Sequence, residues 1–250
     1  IELKTIAKDG KARLNEVTLN GKTFKTPLFM PVATKGALKS LPFKYLEKSD
    51  IILGNTYHLY LRPGLDVIRE FNGLHKFIGW DKLILTDSGG FQGWSIPNKF
   101  TDEGIEFKNI YDGSKFFMDP KLSIDIQQTL NSDVAMILES LIDINKEYEE
   151  QLISTDITYK WAQEAREYHS NDNQSLFGII QGGKHKKLRE KSTMDMLSLD
   201  FNGYAIGGLA IGETSQERKE IVSFTIDMLP DANLRYVMGL GDINGRLELI

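Results

Sequence analysis

No cysteine occurs in the 250 residues, which excludes a disulfide framework, a cysteine-ligated zinc site and a thiol nucleophile within them. Histidine is nearly as scarce. His58, His75, His169 and His185 are the only four, and no HExxH or HxH spacing joins any of them, so no metal ligand set is read here. No apolar run approaches the roughly 20 residues of a membrane helix, and residues 1–13 carry no apolar signal region. The expectation is a cytoplasmic protein with no membrane partner. Pro-rich linkers, low-complexity runs and internal repeats are missing too, so nothing argues for cutting the chain into domains. Positive charge is in deficit: 30 Lys and Arg stand against 35 Asp and Glu, a net charge of -5. On its own that argues mildly against a nucleic-acid partner, since phosphate contacts need cations. The one dense basic stretch is Lys184, His185, Lys186, Lys187, Arg189 and Lys191, for which the plainest reading is a solvated helix face.

What is present is an ordinary globular balance, 41% hydrophobic and 26% charged, at a length that fits one domain over 1–250. Residues 1–27 read as a β-ribbon, with Asp9-Gly10 and Asn20-Gly21 as turn dipeptides. From residue 28 the pattern changes to short apolar runs, at 28–32, 51–53, 83–85, 134–138, 176–180, 204–206 and 236–238. Each ends in a polar or glycine-rich motif and leads into a helical stretch. Asp119 and Pro120 read as the N-cap and first position of one helix. Ile157, Trp161 and Ala165 stripe another, over 154–168, and Asp112-Gly113 marks the tip of a hairpin insertion over 104–117. Continuous apolar strands alternating with helices predict an α/β fold with a parallel sheet buried on both faces. A doubly wound sheet and a (β/α)8 TIM-like barrel both fit. Polar motifs at every strand end favour the barrel, which gathers its working groups from many strand ends. The expectation is an irregular barrel of seven β/α units over 28–250, lacking the last, behind the ribbon.

The strongest local motif is Thr86-Asp87-Ser88-Gly89-Gly90-Phe91-Gln92. A carboxylate directly after a buried strand lies at the barrel mouth, and the two glycines let backbone N–H groups approach a ligand. With a tuned pKa, Asp87 is a general acid/base; as a structural alternative it caps the next helix. Asn55, after another strand, is placed to orient Asp87 or a ribose hydroxyl. His58 has the commoner fate of a buried histidine satisfied by backbone. The Gln181 amide can read the edge of a planar heterocycle, or simply start a helix. Gly207 to Glu213 is glycine-rich, but without a Walker Lys-Ser/Thr pair or a dinucleotide fingerprint it is weak as a phosphate loop. Phe91 and Met238 are each plain core when taken singly; together they can sandwich a flat base.

In combination the motifs are specific. GNTYHLYLRPG, LILTDSGGFQ, LFGIIQGG, GYAIGGLAIGE and YVMGLG stand in the order and nearly the spacing of the bacterial tRNA-guanine transglycosylases, and the resemblance runs from the ribbon to about Gly241. It implies an irregular (β/α)8 barrel with a zinc subdomain near its C-terminal end. The implied activity replaces a wobble guanine in tRNA by a 7-deazaguanine, in the queuosine pathway. The reaction is a double displacement at ribose C1′, with an aspartate nucleophile and a covalent intermediate. By the same resemblance Asp87 is the general acid/base. Ser88, Gly89, Gly90 and Phe91 line the base pocket, Phe91 and Met238 stack on the base, and Gln181 with the backbone at Gly208 and Leu209 hydrogen-bonds it. Asn55 supports Asp87, and a homodimer is expected. If tRNA binds, Lys184, Lys186 and Lys187 are candidate contacts, because the basic stretch follows Gln181 at the barrel mouth.

Three departures qualify the resemblance. The family's nucleophilic aspartate is expected shortly after Ile250, and the zinc ligands, three cysteines and a histidine, further on. After Ala135-Met136, the family's Asp-Glu-Cys reads Glu139-Ser140-Leu141, so Glu139 stands for a base-reading aspartate and Ser140 for the glutamate after it. An extra methylene there is expected to shift base selectivity, because a displacement of about 1 Å in a catalytic site can cost about a hundredfold in rate. Spacing also tightens at Asp242-Ile243-Asn244. Two rival functions follow: a non-catalytic paralogue that binds tRNA or partners a catalytic subunit as a heterodimer, and a barrel enzyme for a small heterocycle with no tRNA.

Overall fold

The structure, a computed structural model, describes every residue except Pro97 and Ile250. In chain order the ribbon strands are β1 (Glu2–Asp9), β2 (Ala12–Leu19) and β3 (Lys22–Thr26). β4 (Val32–Ala33) and β5 (Ile51–Gly54) precede α1 (Thr56–Leu61), α2 (Leu65–Glu70) and α3 (Leu74–Ile78). β6 (Leu83–Thr86) and α4 (Gly90–Ser95) lead to a second antiparallel sheet of β7 (Asn98–Phe100), β8 (Ile105–Lys108) and β9 (Lys115–Met118). Then follow α5 (Pro120–Leu130), β10 (Val134–Met136), α6 (Tyr148–Tyr168), β11 (Ser175–Ile180) and α7 (Lys186–Ser198). β12 (Gly203–Ile206), α8 (Ser215–Ile226), β13 (Leu234–Val237) and α9 (Ile243–Glu248) complete the described chain. Seven parallel strands, β4, β5, β6, β10, β11, β12 and β13, alternate with helices. That is the pattern of an irregular TIM-like barrel, and the α/β class read from the sequence is the one observed.

Two compact units divide the chain. One holds Ile1–Leu28, Ser140–Gln163 and Phe177–Ile250; the other holds Phe29–Glu139 and Glu164–Leu176. In the second, the strand order is β10-β6-β5-β4, every pair parallel. β6 is buried along its whole length, as a strand covered on both faces must be. α5 starts where the sequence says: Asp119 accepts from the Leu122 N–H at 2.7 Å and Pro120 sits at the first position. From its buried face Gln127 grips the end of β10. Its amide accepts from the Met136 N–H and donates to the Met136 carbonyl, both at 2.8 Å, and it is also bonded to the Thr86 hydroxyl at 3.0 Å.

That grip explains one difference from the sequence reading. The apolar run 134–138 ends as a strand at Met136, because both main-chain groups of Met136 are taken by a side chain rather than a neighbouring strand. Likewise the run 28–32 contributes only Val32 to the sheet, in a strand that ends at Ala33. Pro27 and Pro31 lack the N–H a central strand needs, and only the Pro31 carbonyl joins in, accepting from Leu53. α6 begins at Tyr148, six residues earlier than its apolar stripe suggested.

In the first unit β1, β2 and β3 form the expected antiparallel ribbon. β11 pairs with β12 and β12 with β13, all parallel and in unbroken register. Behind their ends Ile206, Leu209, Ile211, Ile221, Val222 and Ile144 form one apolar cluster.

Candidate functional site

Asp87 follows β6 directly, and its N–H still bonds the Gly54 carbonyl, so the ladder with β5 carries its side chain to the strand ends. There the carboxylate is tightly held. Oδ1 accepts from the Thr56 N–H at 2.9 Å and the Gly89 N–H at 3.3 Å. Oδ2 accepts from Asn55 Nδ2 at 2.5 Å. The orientation of the Asn55 amide is set independently, because its Oδ1 caps α1 by accepting from the His58 N–H at 2.9 Å. The amide nitrogen is therefore the end presented to Asp87 and, at 3.2 Å, to the side-chain Oε1 of Gln92. The Thr56 hydroxyl bonds the Asp87 carbonyl. Asp87 does not cap the following helix; Gly89 occupies that position and offers no side chain.

Desolvation pushes the Asp87 carboxyl up to about 6, against the opposing pull of the Thr56, Gly89 and Asn55 hydrogen bonds. A carboxyl poised there exchanges a proton near neutral pH, which a general acid/base requires. Around it, the Ser88 hydroxyl accepts from the Gly90 N–H at 3.1 Å, and the Ser88 carbonyl is bonded by Ser123. Phe91 keeps 47% of its surface exposed, with Trp94 5.7 Å away and exposed too. Glu139 is buried and lies against Gly90, where a β-carbon would come within 2.7 Å of Glu139 Cγ. The methylene by which glutamate exceeds aspartate is thus accommodated by the absence of a side chain at residue 90. This unit brings Asn55, Asp87, Ser88, Gly89, Gly90, Phe91 and Glu139 together.

The other unit gathers Gln181, Gly208, Leu209 and Met238 at the ends of β11, β12 and β13. Gln181 is buried and its N–H donates to Ser192 Oγ at 2.9 Å. Gly208 has φ +66°, and a β-carbon there would stand 2.7 Å from Gln181 Oε1, so backbone and amide are in direct contact. Leu209 sends its side chain into the apolar cluster. The Met238 N–H bonds the Ile206 carbonyl at 3.2 Å. Ser140 is buried, its hydroxyl 3.0 Å from Ser154 Oγ and its N–H bonded to Thr158.

The basic stretch divides. Lys186 and Lys187 are exposed. Lys184 is tied to Glu217 and to Asn145, both at 2.7 Å. Arg189 corrects the reading of a solvated face, being only 1% exposed. It donates to the carbonyls of Gly183 (2.9 Å), Ile180 (3.1 Å) and Gly207 (2.8 Å), fastening the loops that carry Gln181 and Gly208. A signal was available: Leu188, Ser192 and Met196 repeat at helical spacing, and Arg189 adjoins that face. Glu213 was missed as well. Its carboxylate accepts from the Ala210 and Ile211 N–H groups and holds Ala210 at φ +59°. Thr56 and Gln92 are the other unforeseen partners. His58 also differs from expectation, since its Nδ1 is buried without a hydrogen-bond partner among the described residues.

Among the described residues no three His, Asp or Glu side chains gather closely enough to hold a metal ion, so the donor set here does not fit zinc. No helix is long and apolar enough to cross a membrane. A small cleft of about 190 Å³ beside Lys186, Glu220 and Phe224 lies on α7 and α8, below the roughly 300–1,000 Å³ of usual ligand pockets.

The family model described as "Queuine tRNA-ribosyltransferase" matches residues 8–250. A queuine tRNA-ribosyltransferase of Acinetobacter baylyi is 43% identical over 257 residues, covering all of this chain and 67% of the relative. That of Thermotoga neapolitana is 44% identical, covering all of this chain and 69% of its own length. That of Caldanaerobacter subterraneus is 44% identical, covering 99% of this chain and 68% of its own. The chain thus spans about two thirds of the length of these relatives.

Proposed function

The chain belongs to the queuine tRNA-ribosyltransferase family, a family of pentosyltransferases, and from that premise we propose that it exchanges the wobble guanine of tRNA for a 7-deazaguanine by double displacement. The observation that carries the reading is Asp87: a carboxyl pushed up to about 6, oriented by Asn55 and Thr56, with the open face of Phe91 four residues on.

In the first displacement a carboxylate, which the resemblance puts after Ile250, bonds to C1′ as the bond from C1′ to guanine N9 breaks. Asp87 supplies the proton the leaving guanine takes up. In the second, the incoming deazaguanine gives its ring N–H proton to Asp87, bonds to C1′ and releases the carboxylate. Ser88, Gly89, Gly90 and Glu139 shape the base pocket, and Phe91 and Met238 offer stacking surfaces. Gln181 and the backbone at Gly208 and Leu209 read a base edge. Lys187 and Lys186, exposed although the latter lies over the Phe224 ring, meet phosphates, whereas Lys184 is engaged by Glu217. Residues 1–250 are taken as one barrel domain, acting as a homodimer in the cytoplasm. The test is exchange of labelled guanine into tRNA, expected for the wild type and reduced by at least about a hundredfold in Asp87→Asn, within the range a general acid/base contributes. Undiminished exchange in that variant sinks the assignment of Asp87.

One observation favours the rival, non-catalytic reading. Ser140, where the resemblance expects glutamate, carries no carboxylate, and its hydroxyl is bonded to Ser154. Wild-type protein that binds tRNA but exchanges no guanine would establish that alternative. Glu139 meanwhile bears on selectivity: Glu139→Asp is expected to change the ratio of guanine to deazaguanine affinity, read by calorimetric titration. Equal ratios in both proteins would leave Glu139 without that role.

A further inference from the structure

Three segments that are distant in sequence meet on one aromatic ring. Tyr111 lies at the tip of the hairpin insertion between β8 and β9. The Arg62 guanidinium, at the end of α1, lies 3.8 Å from the centre of its ring. The ammonium of Lys35, in the loop after β4, lies 5.4 Å from the same centre. The two cations therefore sit within about one Debye length of each other, roughly 8–10 Å at ordinary ionic strength. Both residues are exposed, and neither forms an ion pair with a carboxylate among the described residues. The acid nearest in sequence to Tyr111, Asp112, is already satisfied by the hydroxyl and N–H of Ser114. Asp112 also lies in the field of Arg62 without forming an ion pair with it, so the two cations are only partly offset, and a further anion placed between them lowers the free energy of the surface.

The neighbourhood narrows the choice of anion. α1 begins at Thr56, whose N–H bonds Asp87, so this cluster rises from the strand ends that carry the acid/base. His58, on the same short helix, has a buried Nδ1 with no hydrogen-bond partner among the described residues and lies in the field of Lys35. A fork-shaped guanidinium, a point-charge ammonium and a half-exposed ring suit an RNA strand, with its phosphates and stackable bases.

We propose that Lys35, Arg62 and Tyr111 form a phosphate-binding platform that holds the tRNA strand beside Asp87. This rests on the proposed function. The platform explains how a chain of net charge -5 presents local positive charge to RNA. It also gives the hairpin insertion a role, that of bringing Tyr111 to the two cations.

The experiment measures affinity of the chain for an unmodified tRNA with guanine at the wobble position, from about 50 to 200 mM salt, with free guanine titrated in parallel. Each phosphate contact contributes about 0.7–0.9 to the slope of log affinity against log salt. The double variant Lys35→Gln, Arg62→Gln is expected to flatten that slope by about 1–2 and to weaken tRNA binding roughly tenfold or more at low salt, with guanine affinity unchanged. Tyr111→Leu should weaken binding and Tyr111→Phe should not, because the ring face, not the hydroxyl, meets the cations. Lys76→Gln, on α3 ahead of the start of β6 and so at the other end of that strand from Asp87, should match the wild type. An unchanged slope in the double variant overturns the platform. Wild type that binds no tRNA overturns the function on which it rests.

Discussion

Asp87 carries a measurable cost in its ordinary state. Its folded pKa of about 6 lies above the ordinary aspartate value, so between about pH 4 and 6 the folded chain binds more protons than the unfolded one. Stability from this group is therefore greatest below that window and is lost as pH rises through it. Above pH 6 the ionised carboxylate costs up to about 3 kcal/mol, since raising a pKa by one costs the ionised form about 1.4 kcal/mol. Asp87→Asn should consequently gain on the wild type by about 1–3 kcal/mol between pH 4.5 and 7.5 in urea melts. An equal difference at both pH values would show that burial does not govern the carboxyl. Arg189 is the opposite case, a cation the fold depends on. Arg189→Met leaves the buried carbonyls of Gly183 and Gly207 without their donor, while that of Ile180 keeps only the Gly207 N–H. It should cost on the order of 3–5 kcal/mol in denaturant titration, with Arg189→Lys recovering part. At this scale Asp87, Asn55 and Gln181 could be read from the sequence because each comes within two residues of the end of an apolar run. Arg189 and Glu213 could not, because what they hold is main chain, and the sequence does not display which carbonyls and N–H groups a loop leaves unpaired.

Among the elements, those with local signals were legible and those set by distant contacts were not. Asp119-Pro120 announced α5, and the ribbon turns announced β1 to β3. The early end of β10 was hidden, because it is imposed by Gln127 on another element. That brace is open to test. Gln127→Leu removes both partners of Met136 and the bond to Thr86, and should destabilise the chain by about 2–4 kcal/mol, the cost of stranding buried main-chain groups. Amide exchange at Met136 should accelerate well beyond that of Leu85 in β6. Uniform acceleration across the sheet would mean that Gln127 acts on global stability alone.

For the molecule as a whole, composition pointed away from RNA while ordered motifs pointed toward it, and the structure shows why both readings had grounds. Charge is unevenly spread: Lys184 and Lys191 are spent on ion pairs, whereas among the described residues Lys35, Arg62, Lys186 and Lys187 form none. With a sequence pI near 5.5, the net negative field should slow the approach of tRNA at pH 8 and relax as pH falls toward 6. Stopped-flow association is expected to quicken several-fold over that interval at low salt; a flat profile would mean that only local cations matter. Of the three tryptophans, Trp80 and Trp161 are buried, and only Trp94, beside Phe91, faces solvent. The chain therefore carries its own optical reporter at the stacking surface. A purine settling on Phe91 should quench and shift an emission that the two inner indoles leave nearly constant, so occupancy can be followed in real time without any attached dye.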